Sequence, residues 1–217
     1  MPRDATETRA RLIREAERLF ARRGVYEATL REITEAAGQR NVSALNYHFG
    51  SREGIVEAIL QQHGDPLDDA RGRHLVEPIE EMPTFELVAA LLVPLAEELA
   101  HPSGRDYLRI VAQLSHRFPA WRLGDALVTP HLRRVLNVLE SRASGADPSV
   151  RRERVVDVIM MMMTSMAERA RVVDRGRAPE LDLEAFVTNL TDMIVGALEA
   201  PSRLEAALSV PSGEARR

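Results

Sequence analysis

The chain has 217 residues, a 45% apolar fraction and a formal net charge of −4, which is room for one large or two small domains with a packed core. It contains no cysteine, which excludes disulfides, thiol nucleophiles and Cys-based zinc sites. All 29 basic side chains are arginine, so any phosphate-clamping group here is a guanidinium.

Apolar periodicity predicts helices throughout. Leu12, Ile13, Ala16, Leu19 and Phe20 mark a first helix, with Asp4 and Glu7 as a capping box and Gly24 as its stop. Thr29-Leu-Arg-Glu32 is a clearer capping box opening a second helix, which buries Leu30, Ile33 and Ala37 and stops at Gly38. A short third helix spans 42–48, and Ser51 caps a fourth carrying Ile55, Val56, Ile59 and Leu60. Between Gln62 and Pro83 the composition turns to Asp, Pro and Gly, which reads as a domain junction or as an extension of the fourth helix. Helical patterns resume over 84–100, 105–117, 125–143, 150–174 and 183–200, with a kink or break expected at Pro94 and fraying beyond Leu208. The expected class is all-α: a three-helix head over 6–66, a larger helical body over 67–208 and a tail over 209–217.

The charge is unevenly spread. Residues 1–52 carry 10 Arg against 7 acids, and residues 53–217 carry 19 Arg against 26 acids. Between Gly38 and Arg52 there are two Arg and no acid. A basic end on an acidic body can meet phosphate without giving the whole chain affinity for polyanions.

Residues 29–50 have the form of a helix-turn-helix, in which one helix braces and the start of the next meets base edges. Gly38-Gln39-Arg40-Asn41 supplies the turn. Ser43, Ala44 and Asn46 keep the outer face of the second helix small and polar, while Val42 and Leu45 can point inward. Tyr47 and His48 can donate to phosphate, and Arg40 and Arg52 bracket the unit. Asn46 is either an adenine reader or a solvated surface residue.

Tyr47-His-Phe-Gly-Ser-Arg-Glu53 resembles the motif that closes the DNA-binding domain of the TetR family of transcriptional regulators. Leu30-Arg-Glu-Ile-Thr-Glu-Ala-Ala-Gly38 and Leu19-Phe-Ala-Arg-Arg-Gly24 are similar to that family too, and the likeness covers residues 6–62. The resemblance implies that Thr29 contacts phosphate through its hydroxyl or backbone N–H, that Ser43 and Ala44 approach bases, and that Tyr47 grips the backbone. It also places His48 and Phe49 at the structural end of the recognition helix. Two departures stand out: Asn46 replaces the family's usual tyrosine, and the turn through Gln39-Arg40-Asn41 is one residue longer. The expected DNA-binding set is thus Thr29, Arg40, Asn41, Ser43, Ala44, Asn46, Tyr47, His48 and Arg52.

For the body, the resemblance implies a ligand-sensing and dimerisation domain, hence a homodimer on a palindromic operator in double-stranded DNA, acting as a repressor released by a small apolar effector. Phe85, Tyr107, Leu114, Phe118, Trp121 and Met162 are the expected pocket walls, although each could equally fill core. Val155, Ile159, Met166 and Val173 on one helix, with Phe186, Leu190, Met193 and Ala197 on the next, are the expected dimer face or else the core of a monomer. Met160-Met-Met-Met163 supplies adaptable apolar surface.

No His-Glu-x-x-His, Gly-x-Ser-x-Gly, P-loop or dinucleotide-binding fingerprint occurs, so neither an enzyme, a metal site nor a cofactor is expected. No apolar leader segment follows Met1, and the longest apolar stretches fall short of the ~20 residues that span a bilayer. A soluble cytoplasmic protein is expected. The competing reading is a helical adaptor whose basic head binds another protein.

Overall fold

In the computed structural model of the chain, residues 2–115 and 128–203 are described, with side chains from Ala5 onward. Among them are the helices α1 (Pro2–Arg23), α2 (Leu30–Ala36), α3 (Ser43–Phe49), α4 (Arg52–His74), α5 (Thr84–Glu97), α6 (Pro102–Leu114), α7 (Pro130–Arg142), α8 (Pro148–Asp174) and α9 (Leu183–Glu199), and no strand. The all-α expectation holds. Helix α1 starts at Pro2, where a missing N–H costs nothing, so Asp4 lies inside the helix instead of capping it.

The head forms where α1, α2, α3 and the start of α4 pool their apolar faces. Leu12, Ala16, Phe20, Ile33, Leu45, Ile55 and Ile59 are fully buried, the positions that helical spacing turns inward.

Helix α4 follows the second reading of the stretch after Gln62, an extension of the fourth helix, as far as His74. It runs unbroken through the Asp- and Gly-rich stretch and through Pro66, so a boundary between residues 66 and 67 falls inside a helix. The loop-like residues have structural partners. The Asp68 carboxylate accepts from the Thr129 hydroxyl and from the backbone N–H of His131 (2.9 Å) and Leu132 (3.0 Å), which caps the start of α7. Pro94 likewise breaks nothing: α5 continues to Glu97, and the irregularity appears as a 3₁₀ turn over Glu98–Ala100.

In the body α8 lies along α6, and α9 along α5. That packing corrects half of the expected dimer face. Val155, Ile159, Met166 and Leu190 are at most 3% exposed within a single chain, so they build the subunit's own core and cannot reach a second copy. Phe186 is half-buried, while Val173, Met193 and Ala197 are exposed.

Head and body meet through polar contacts set in apolar packing. Gln113 of α6 accepts from the Val25 N–H (2.8 Å) and gives a second donor (3.1 Å) to the Phe20 carbonyl, which already takes the Gly24 N–H (3.0 Å). His63 of α4 stands between two carboxylates, with Nε2 3.3 Å from Glu17 of α1 and Nδ1 3.2 Å from Glu98 of the 3₁₀ turn. Its ring stacks on Tyr107 of α6 at 4.5 Å between centroids. Burial disfavours the imidazolium, but the hydrogen bonds and charges of Glu17 and Glu98 outweigh it and raise the pKa to about 9.

A histidine whose folded pKa lies above its unfolded value stabilises the fold fully below about 6.5, and that contribution is lost as pH rises through about 9. Stability measured by urea unfolding should therefore decline between these limits, and His63→Gln should flatten the decline. An unchanged slope in the variant would remove the imidazolium from the junction.

Candidate nucleic-acid interface and internal cavity

The brace helix α2 is fixed before any ligand arrives. Thr29 Oγ1 accepts from the Glu32 N–H (3.2 Å) while Glu32 Oε2 accepts from the Thr29 N–H (2.9 Å), which closes the capping box. The Thr29 hydroxyl also donates to Glu32, at 2.9 Å. Hydrogen bonds from the Thr29 backbone and hydroxyl, with Arg23 alongside, hold the Glu32 carboxyl down at about 2. Both donors through which Thr29 was expected to meet phosphate are thus occupied within the chain.

After α2, Gly38 takes φ 71°, a conformation that a side chain would strain. The turn that follows is capped from Asn41, whose Oδ1 accepts from the Ser43 N–H (2.9 Å) and the Ser43 hydroxyl (2.8 Å). Asn41 thereby orients the first turn of α3, and Ser43 is engaged by the cap. Leu45 anchors α3 in the core at 0% exposure, Ala44 and His48 are half-buried, and Asn46 is exposed. Tyr47 is 83% exposed, far more than a packing tyrosine needs.

Arg40 and Arg52 do not do the same work. Arg40 is exposed and has no carboxylate partner among the described residues. The Arg52 guanidinium donates to the carbonyls of Val25 and Ala28 (2.6 Å to the latter) and lies 5.8 Å from the Phe20 ring. Through Nη1 it ties the loop between α1 and α2 to the start of α4. The face left open to a groove holds Arg40, Asn46 and Tyr47, with Asn41 and Ser43 in the capped turn. Sequence reasoning missed two supports of that face. Arg9 of α1 lies 5.1 Å from the Phe49 ring centroid. Gly54 packs so tightly that a Cβ there would sit 2.0 Å from the Phe49 carbonyl oxygen. A glycine a few residues past an aromatic carries no signal of its own, because only the α3–α4 approach makes it necessary.

The body holds a narrow cavity of about 30 Å³ between α4, α5, α6, α7 and α8. Tyr107 and Met162 line it, as expected. Phe85 does not: it faces an open groove beside Leu183 and Val187, between α5 and α9. Leu114 is 1% exposed in the core but is not part of the wall. Phe118 and Trp121 lie outside the described residues. The sequence reading missed Arg71, which is 5% exposed and lines the cavity. No helix among the described residues is long and apolar enough to cross a membrane.

Residues 12–59 match the family model described as bacterial regulatory proteins, tetR family. The chain is 34% identical over 99 residues to the probable HTH-type transcriptional regulator ArpR of Pseudomonas putida, covering 44% of each protein. It is 44% identical over 57 residues to the HTH-type transcriptional regulator TtgR, also of Pseudomonas putida, covering 26% of this chain and 27% of that one. The chain thus spans less than half the length of these curated relatives. Among solved structures it is similar to NalD, the secondary repressor of the MexAB-OprM multidrug efflux pump in Pseudomonas aeruginosa, with a TM-score of 0.55 at 18% identity over 90% of this chain and 98% of that one. It is also similar to a TetR-like transcriptional regulator from Rhodococcus sp. RHA1, with a TM-score of 0.54 at 15% identity over 89% and 96% of the two chains. At these identities the structural likenesses establish the fold.

The division of labour between the arginines is measurable. Arg52→Ala strands two carbonyls and should cost about 1–3 kcal/mol in urea unfolding, and Gly54→Ala should destabilise the head as well. Arg40→Ala should stay within about 0.5 kcal/mol of the parent, as an exposed unpaired side chain does.

Proposed function

The chain belongs to the TetR family of bacterial transcriptional regulators, and on that premise we propose that it is a homodimeric repressor that reads a palindromic operator in double-stranded DNA and is released by a small apolar effector. The observation that carries the proposal is the acid-free surface from Gly38 to Arg52, on which Arg40, Asn46 and Tyr47 stand exposed around a capped seven-residue helix. A short helix held by one buried leucine and small outer residues suits a major groove, where its first turns meet base edges. Arg40 supplies a phosphate contact, Tyr47 a hydroxyl to the backbone, and Asn46 a base-reading amide. The long turn through Arg40 and Asn41 favours an operator of this chain's own.

Dimerisation follows from the geometry of paired half-sites, which need two heads a helical turn apart. The outer sides of α8 and α9 suit it. Met160, Val173, Met193 and Ala197 are exposed there and Phe186 is half-buried, an apolar set left uncovered in a single chain. Residues 6–66 act as the reading head and the later helices as the sensing and dimerising body, with α4 shared between them. The protein is accordingly a DNA-binding regulator of the cytoplasm and not an enzyme.

A gel shift on the DNA upstream of the protein's own coding region tests this at two salt concentrations. Binding should weaken by about tenfold or more between about 50 and 200 mM salt, because phosphate contacts release counterions. Tyr47→Phe and Arg40→Ala should both weaken it, and the latter should lower the salt slope by about 1. Salt-independent behaviour with no DNA affinity would support the adaptor reading instead.

A further inference from the structure

The cavity in the body contains a charge that nothing among the described residues satisfies well. Arg71 of α4 is 5% exposed, and its Nε has no hydrogen-bond partner. Its Nη1 reaches Asp68 and the Thr129 hydroxyl only at 3.5 Å, the outer limit of a hydrogen bond. Asp68 is already committed to Thr129 and to the two backbone N–H groups that it caps. Apart from the hydroxyl-bearing Tyr107 and Thr129, the walls around the guanidinium are apolar, with Leu60, Leu91, Leu95, Ile159, Met162 and Met163 facing the same space. Burial disfavours the charged guanidinium and lowers its pKa, an effect that Tyr107 and Asp68 offset only in part.

A buried, under-bonded cation in an apolar cavity is costly by itself. The cost falls if an incoming group brings an anionic acceptor, and a planar carboxylate matches the guanidinium fork. We propose that the effector is an apolar carboxylic acid, its carboxylate paired with Arg71 and its alkyl or aryl body packed among the leucines and methionines of the cavity. The inference rests on the reading of the chain as an effector-released regulator and names the chemical class of that effector. Small ligand sites are commonly ~300–1,000 Å³, whereas this cavity is about 30 Å³. Entry therefore requires the walls to part. Met162 and Met163 are the wall side chains best able to move, since methionine is unbranched and has three rotatable bonds.

Calorimetric titration of the full chain with decanoate and 4-phenylbutanoate, each against its primary amide, tests the proposal. Each acid should bind about tenfold or more tightly than its amide, the difference made by one charge-assisted hydrogen bond. Arg71→Met should abolish that preference while leaving amide binding in place. It is expected to fold, because Asp68 keeps its three other donors. If it does not fold, Arg71→Gln serves the same comparison. Amides binding as tightly as acids, no binding by either acid, or a preference that survives loss of Arg71 would each overturn the proposal. The gel shift separates this from the regulator reading. DNA binding without an acid preference rejects the effector class alone, whereas an acid preference without DNA binding rejects the regulator and leaves the site.

Discussion

Head and body are joined along two paths, the packing of α1 on α6 and helix α4, which the two share. The first turns of α4 complete the head core through Ile55, Val56 and Ile59, the next turns bring Leu60 and Gly64 to the cavity, and the last anchor α7 through Asp68. Between these, His63 holds Glu17 of the head and Glu98 of the body on opposite nitrogens of a single ring. Interiors packed to this density transmit displacement instead of absorbing it. Moving α4 therefore moves the seat of α3, because α3 rests on α4 through the close approach at Gly54. The imidazolium is also the group that lets two carboxylates lie close together at the joint, since without its charge they would face each other with little solvent between them.

The head was legible because its signals are local. A capping box spans three residues, a stop glycine marks its own position, and helical spacing names the inward face, so Leu12, Phe20, Ile33 and Leu45 could be placed from sequence. Arg40 and Arg52 could not be told apart in that way. Both flank the same acid-free stretch, and only the folded chain brings the Arg52 guanidinium to carbonyls 24 and 27 residues away. The stretch after Gln62 left two readings open for the same reason. Its aspartates have a loop-like composition, yet the donors that hold Asp68 come from residues 61–64 positions later in the chain. In the body, apolar periodicity named residues on both sides of α8 and α9. Val155, Ile159, Met166 and Leu190 are the core of the subunit, whereas Val173, Met193 and Ala197 face outward beside Asn189 and Asp192. Spacing alone does not tell an apolar face that packs within the chain from one left uncovered. Arg71 was hidden by its type, because a lone arginine in a polar stretch reads as solvated.

On the proposed function, the tightness of the cavity bears directly on how an effector could act. A ligand shifts an equilibrium only by the difference in its affinity for the two states. A cavity of about 30 Å³ is too small for a molecule of effector size, so an effector held there calls for a conformation with the walls further apart. Besides Met162 and Met163, the walls include Leu60 and Gly64, which flank His63 within two turns of α4, and Tyr107, whose ring is stacked on His63. No wall on the α4 side can retreat without disturbing the imidazolium contacts to Glu17 and Glu98. The apolar cavity, the buried Arg71 and the two-carboxylate joint thus share helix α4, so that any volume an effector gains on that side comes at the expense of the contacts that join head and body.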